Sequence, residues 1–103
     1  MSDDLSGEYA LSKYSYIDVV DGDPATTLAQ VTQACDEASA EDLGWIAIVV
    51  VEPFLAQHGV AVKDAFAAAL RKHPKLRAAY RAAVFVPISA ELERLFDDAA
   101  APD

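Results

Sequence analysis

Gly44-Trp45-Ile46-Ala47-Ile48-Val49-Val50-Val51-Glu52 is the stretch on which the reading of the fold turns. Seven apolar residues stand in a row between Gly44 and Glu52, most of them β-branched or aromatic. The run is too short to cross a bilayer, and its composition suits a β-strand buried on both faces. On this reading every other element either covers that strand or leads to it.

Upstream, Tyr9 to Val20 offers Tyr9, Leu11, Ile17 and Val19 on one side and Tyr14, Tyr16 and Val20 on the other. This predicts a long first strand, with a bulge near Lys13 where the alternation weakens. Asp21-Gly22-Asp23-Pro24 follows as a turn, and Asp23-Pro24 opens a helix with Asp at the N-cap and Pro in the first turn. Leu28, Val31, Cys35 and Ala38 recur at helical spacing, and the helix is expected to run to Asp42-Leu43-Gly44.

Downstream, Glu52-Pro53 stops the central strand, and Phe54 to Gly59 makes a short helical turn. Val62, Ala65, Phe66, Ala69 and Leu70 form an amphipathic stripe ended by Lys72-His73-Pro74. Residues 75–81 fit either a further helical turn or the lead-in to a strand. Ala82 to Ile88 reads as a third strand, at an edge because Pro87 has no N–H for a ladder. Ser89 caps a last helix whose Leu92, Leu95, Phe96 and Ala99 face inward. The expected fold is thus α/β, a small three-stranded or slightly larger sheet in β-α-β-α-β-α order. A single domain spans 9–99, with tails at 1–8 and 100–103. An α+β ferredoxin-like arrangement is the alternative if 9–20 or 75–81 hides a further strand.

Composition narrows the function classes. The chain has 103 residues, 53% of them hydrophobic, and a formal net charge of −9. That is enough for one packed core and too apolar for disorder. The sign disfavours nucleic acid and anionic membrane as partners. Neither a leader-like start nor a long apolar span is present, and the one cysteine, Cys35, suits a reducing compartment, so a cytoplasmic protein is expected. The only basic concentration is Lys63, Arg71, Lys72, Lys75, Arg77 and Arg81; it reads as a solvated face or as a site for an anion or an acidic partner.

The element order, the buried central run, Arg81-Ala82-Ala83-Val84-Phe85-Val86-Pro87-Ile88 and the terminal amphipathic helix together resemble the STAS-like α/β domains of bacterial regulators. The resemblance covers about residues 9–100 and implies a non-enzymatic interaction or small-ligand module. The Asp-Ser/Thr phosphoswitch of anti-sigma antagonists has no counterpart, because Glu52-Pro53-Phe54 stands there.

Individual residues carry specific expectations. Asp21, Asp23 and Glu52, with Asp18 nearby, would meet at the carboxyl ends of two parallel strands, where oxygen ligands suit Mg²⁺. The plainer reading makes Asp21-Gly22-Asp23 a turn with a helix cap. His58 and His73 sit beside helix stops and lack metal-ligand spacing. Cys35 lies on an apolar stripe, Ser89 is N-cap chemistry without a glycine-flanked elbow, and neither glycine-rich phosphate loop nor HExxH occurs. Tyr14 and Tyr16, with Trp45, Ala47 and Val49 on the poorly covered sheet face, are candidate interface residues. The resulting expectation is a non-enzymatic, homodimeric module that binds a protein or small ligand. The alternative is a small metal-binding protein or enzyme using the strand-end carboxylates, and a third idea is an acidic mimic of nucleic acid.

Overall fold

The apolar run at 44–52 is helical. The computed structural model describes residue 14 and residues 16–83 and 88–101, and no β-strand occurs among them. Among the described residues six α-helices follow one another: α1 (Pro24–Glu37), α2 (Ala40–Ile46), α3 (Glu52–His58), α4 (Lys63–Lys72), α5 (Pro74–Ala82) and α6 (Ala90–Ala100). A π-turn, Ala47–Val51, joins α2 to α3 without a break, so 40–58 is one long helical run.

The α/β expectation, its STAS-like layout and its ferredoxin-like alternative are therefore overturned together. Seven contiguous apolar residues do not separate a two-faced strand from a buried helix; the flanks do. Leu43, Ile46, Ala47, Val50, Val51, Phe54 and Leu55 are all buried, two neighbours on nearly every turn. That is the wide apolar stripe of a helix packed deep in a core, and it extends past both ends of the supposed strand. The β-branched residues lose little by helical packing beside this gain, because propensity is a weak prior against burial.

Pro53 accounts for the π-turn. It has no N–H to offer the Val49 carbonyl, and its ring would press on that carbonyl in a regular α-helix. Widening the preceding turn relieves both problems, and the Glu52 N–H donates five residues back, to the carbonyl of Ala47.

Other boundaries follow local chemistry. Asp23 accepts from the Thr26 amide at 3.0 Å and caps α1 as the sequence indicates. The helix stops at Glu37 rather than near Gly44, because Ser39 starts a new one by accepting from the Asp42 amide at 3.2 Å. Gly44 accordingly lies inside α2. Ser89 caps α6 through the Leu92 amide, 3.3 Å. Residues 75–81 belong to α5, the helical alternative after Pro74. Of the supposed first strand, residues 16–20 form turns and bends, while 9–13 and 15 lie outside the described residues, as do 1–8. Of the supposed third strand, Ala82 ends α5 and 84–87 lie outside them.

The core is built around α5. It packs on α1, α2, the π-turn, α4 and α6, while α4 makes its broadest contact with α6. Phe54, Phe66, Tyr80 and Phe96 meet at the centre, with the Phe66 and Phe96 rings edge to face, their centroids 4.8 Å apart. The inward residues expected of the first helix (Leu28, Val31, Cys35, Ala38) are buried, as are Leu92, Phe96 and Ala99 of α6, while the expected Leu95 is half-buried. In α4 the expected Ala65 is exposed and Ala67 takes the buried place.

Three cations of α5 hold the carboxyl ends of other helices. Lys75 Nζ donates to the Ala38 carbonyl at 2.7 Å, closing α1. Arg77 donates to the Leu70 and Arg71 carbonyls, 2.8 and 3.0 Å, closing α4. Arg81 donates to Ala100 at the end of α6. Half of the basic cluster thus satisfies carbonyls that a helix end leaves without amide donors. Arg77→Met is expected to cost about 1–2 kcal/mol, since two hydrogen bonds from a charged group are lost. A thermal melt should fall by roughly 5–15 °C. Arg71→Met, whose side chain is exposed, should change the midpoint little.

Candidate functional site

The outward side of the long helical run leaves large apolar side chains in contact with water. Trp45 precedes Ile48 by three residues and Val49 by four, so the three lie side by side one turn apart. Ile48 is 49% exposed, and Trp45 and Val49 are half-buried against the core beneath. Glu41 stands one turn before Trp45, and Glu52 one turn after Ile48 and Val49. The π-turn runs through the middle of this face, and such turns often mark functional positions in helices.

The other candidate interface residues divide. Ala47 is fully buried in the chain's own core, and Tyr14 is buried as well, its hydroxyl donating to Asp42 Oδ2 at 3.1 Å. The sequence reading sets both on an exposed sheet face, and no sheet occurs among the described residues. Tyr16 is 59% exposed. With Tyr14, Ala34 and Glu37 it borders an open cavity of about 360 Å³ beside the end of α1.

The three carboxylates proposed for a metal do not converge. Parallel strand ends were to bring them together, and without strands each has its own local task or place. Asp23 is the N-cap of α1; hydrogen bonds from the Thr26 amide and hydroxyl hold its carboxyl below the usual range. Neighbouring Asp18 accepts from the amides of Val20 and Asp21, 3.3 and 2.8 Å, which folds the turn on itself. Gly22 is required there, because a Cβ would come within 2.5 Å of the Asp18 carbonyl. Glu52 sits half-buried where the π-turn meets α3. Among the described residues no group of three or more His, Cys, Asp or Glu side chains could hold a metal ion.

Both histidines tie distant segments together. His58 Nε2, at the end of α3, donates to the Val20 carbonyl at 3.1 Å. His73 Nδ1, between α4 and α5, bonds Asp36 Oδ2 of α1 at 3.0 Å. Cys35 is fully buried, and burial pushes its thiol up to about 12, an unreactive environment. Thr27, a buried polar residue in the first turn of α1, donates to the Asp18 carbonyl at 3.2 Å.

The sequence reading sets Trp45 and Val49 on one face of a strand and Ile48 on the opposite face; in the helix the three lie side by side. The signal was present: Leu43, Ile46, Val50 and Phe54 mark one helical side, which leaves Trp45, Ile48 and Glu52 on the other. No helix among the described residues is long and apolar enough to cross a membrane. No protein-family model, curated protein or solved structure matches this chain.

Proposed function

We propose that this chain is a non-enzymatic interaction module whose docking face is the outward side of the 40–58 helical run, at Trp45, Ile48 and Val49. The observation that supports it is the 49% exposed Ile48 beside half-buried Trp45 and Val49, which sets three large apolar side chains next to one another on one side of the helical run. Aromatic and aliphatic anchors of this kind carry most of the energy in protein interfaces, with polar groups at the rim. A cytoplasmic setting accords with a lone cysteine kept reduced in the core.

Two measurements test the reading. Capture from the native cell extract with the wild-type chain should retain a protein that an Ile48→Gln chain does not. Light scattering at two concentrations and two salt levels identifies self-association, the homodimer first expected from an uncovered sheet. Identical captured sets, with a monomer throughout, would remove the docking face from consideration. A second reading, a small-ligand site, is favoured by the cavity between Tyr16 and Glu37, whose volume falls within the range of small-molecule pockets.

A further inference from the structure

The cavity beside the end of α1 is walled by groups of one chemical preference. Tyr14 is buried, and its hydroxyl donates to Asp42 Oδ2 at 3.1 Å, so one wall is an aromatic ring held in place. Tyr16 borders the same cavity with more than half of its surface open to water. Glu37 supplies a carboxylate whose Oε2 accepts from the Gln33 side-chain amide at 3.2 Å, which orients it. An ionised carboxylate accepts hydrogen bonds and donates none, and the face of a tyrosine ring attracts cations through its quadrupole. Both features select a positively charged donor. The cavity also stands at the carboxyl end of a helix of 14 residues, the end that favours positive charge. Lys75 reaches that end too, but it donates to the Ala38 carbonyl rather than to Glu37.

Resting on the small-ligand reading given above, we infer that this cavity binds a small organic ammonium compound, its charged nitrogen on the Glu37 carboxylate and its apolar part against Tyr14 and Tyr16. The volume of about 360 Å³ stands at the low end of small-molecule pockets, which suits a single-ring amine better than a nucleotide or a peptide.

Benzylamine is the probe, with benzyl alcohol and phenylacetate as its neutral and anionic counterparts of similar size. Equilibrium dialysis against the full chain reads their binding to wild type, Tyr16→Ala and Glu37→Gln. Both positions are exposed, and unchanged thermal melts establish that the variants fold. Benzylamine should saturate a single site in the millimolar range. Glu37→Gln should weaken it at least about ten-fold, the scale of one charge-assisted hydrogen bond, and Tyr16→Ala several-fold. Glu41→Gln removes the same charge from an exposed position of α2 and should leave binding unchanged. Equal losses in Glu37→Gln and Glu41→Gln, or no loss in either cavity variant, would reduce the effect to diffuse attraction by a chain of charge −9 and overturn the inference. Tighter binding of benzyl alcohol or phenylacetate, lost in Tyr16→Ala, would leave a small-ligand cavity but refute the ammonium class; the anionic arm also covers Lys13, a cation outside the described residues. Binding of none of the three at millimolar concentration would end both the ammonium assignment and the small-ligand reading.

Discussion

Phe66→Ala is expected to remove a large part of the stability of the fold, about 3–5 kcal/mol, enough to lower the thermal midpoint by roughly 15–30 °C. Phe66 is fully buried on α4, and its ring meets those of Phe96 at 4.8 Å, Tyr80 at 6.2 Å and Phe54 at 6.5 Å. The substitution leaves a cavity where α3, α4, α5 and α6 converge, and all three ring contacts vanish with it. Each aromatic pair adds about 0.5–1.5 kcal/mol beyond area burial. Against a total of about 5–15 kcal/mol for a domain of this size, that loss brings the chain near its unfolding threshold. Phe66→Leu fills most of the space and should cost under about 1.5 kcal/mol. Urea titration followed by far-ultraviolet dichroism measures both. A loss below about 1 kcal/mol for alanine would mean that the four rings are not the common centre of the helices.

The second large effect is alkaline. Burial raises the Cys35 thiol from 9.0 to about 12. It also raises the Tyr80 phenol, which donates to Asp97 Oδ1 at 2.8 Å and faces the charges of Asp97 and Glu93. In both cases the fold favours the protonated, neutral form, so above the ordinary values the folded chain holds protons that the unfolded chain has released. Their contribution is complete below about pH 9, where both states are protonated. It then declines as pH rises: for Cys35 between its unfolded value of 9.0 and about 12, for Tyr80 from 10.0 upward. Each group steepens the decline by about 1.4 kcal/mol per pH unit while it titrates only in the unfolded state. Denaturant midpoints measured from pH 7 to 11 should therefore fall steeply after pH 9. Cys35→Ala should flatten the part that begins at 9, and Tyr80→Phe the part that begins at 10. Comparison between variants isolates these groups from the lysines, which titrate in all of them. A wild-type midpoint level to pH 11 would contradict the buried, protonated state of both.

The acid limb has the opposite sign. The Asp23 carboxyl is held below 3.8 by its cap bonds to Thr26, so its support for the start of α1 is present above that value and is lost as pH drops through the lowered one. It is an exposed group, and the alkaline effect is the larger of the two.

Much of the chain was legible locally. Asp23-Pro24 and Ser89 name two helix starts because a short oxygen-bearing side chain satisfies amides that nothing else in the first turn can reach. Val31 and Cys35, Phe66 and Leu70, Leu92 and Phe96 give three buried stripes at a spacing that only a helix makes one-sided. Buried Cys35 and the turn at Asp21-Gly22 were legible for the same reason: each depends on neighbours within a few residues. Ser39 was legible too, as an N-cap before Asp42, and would have divided the first helix correctly.

Tertiary structure decided the central stretch. Trp45 to Val51 is apolar at every position, so neither a period of two nor one of 3.6 is visible inside it, and β-branched composition then tips a local reading toward strand. What resolves it is the burial of Leu43 and Phe54 on the same side as Ile46 and Val50, which depends on α5 lying against that side. The same packing makes Ala47 core and Ile48 surface, and so determines which residues a partner can touch. Likewise, nothing near Lys75, Arg77 or Arg81 in sequence tells that each closes a different helix, because their acceptors lie up to 37 residues away. Short-range hydrogen bonds and periodicity were enough for the ends and sides of the helices; the identity of the exposed face came only from what packs against the other one.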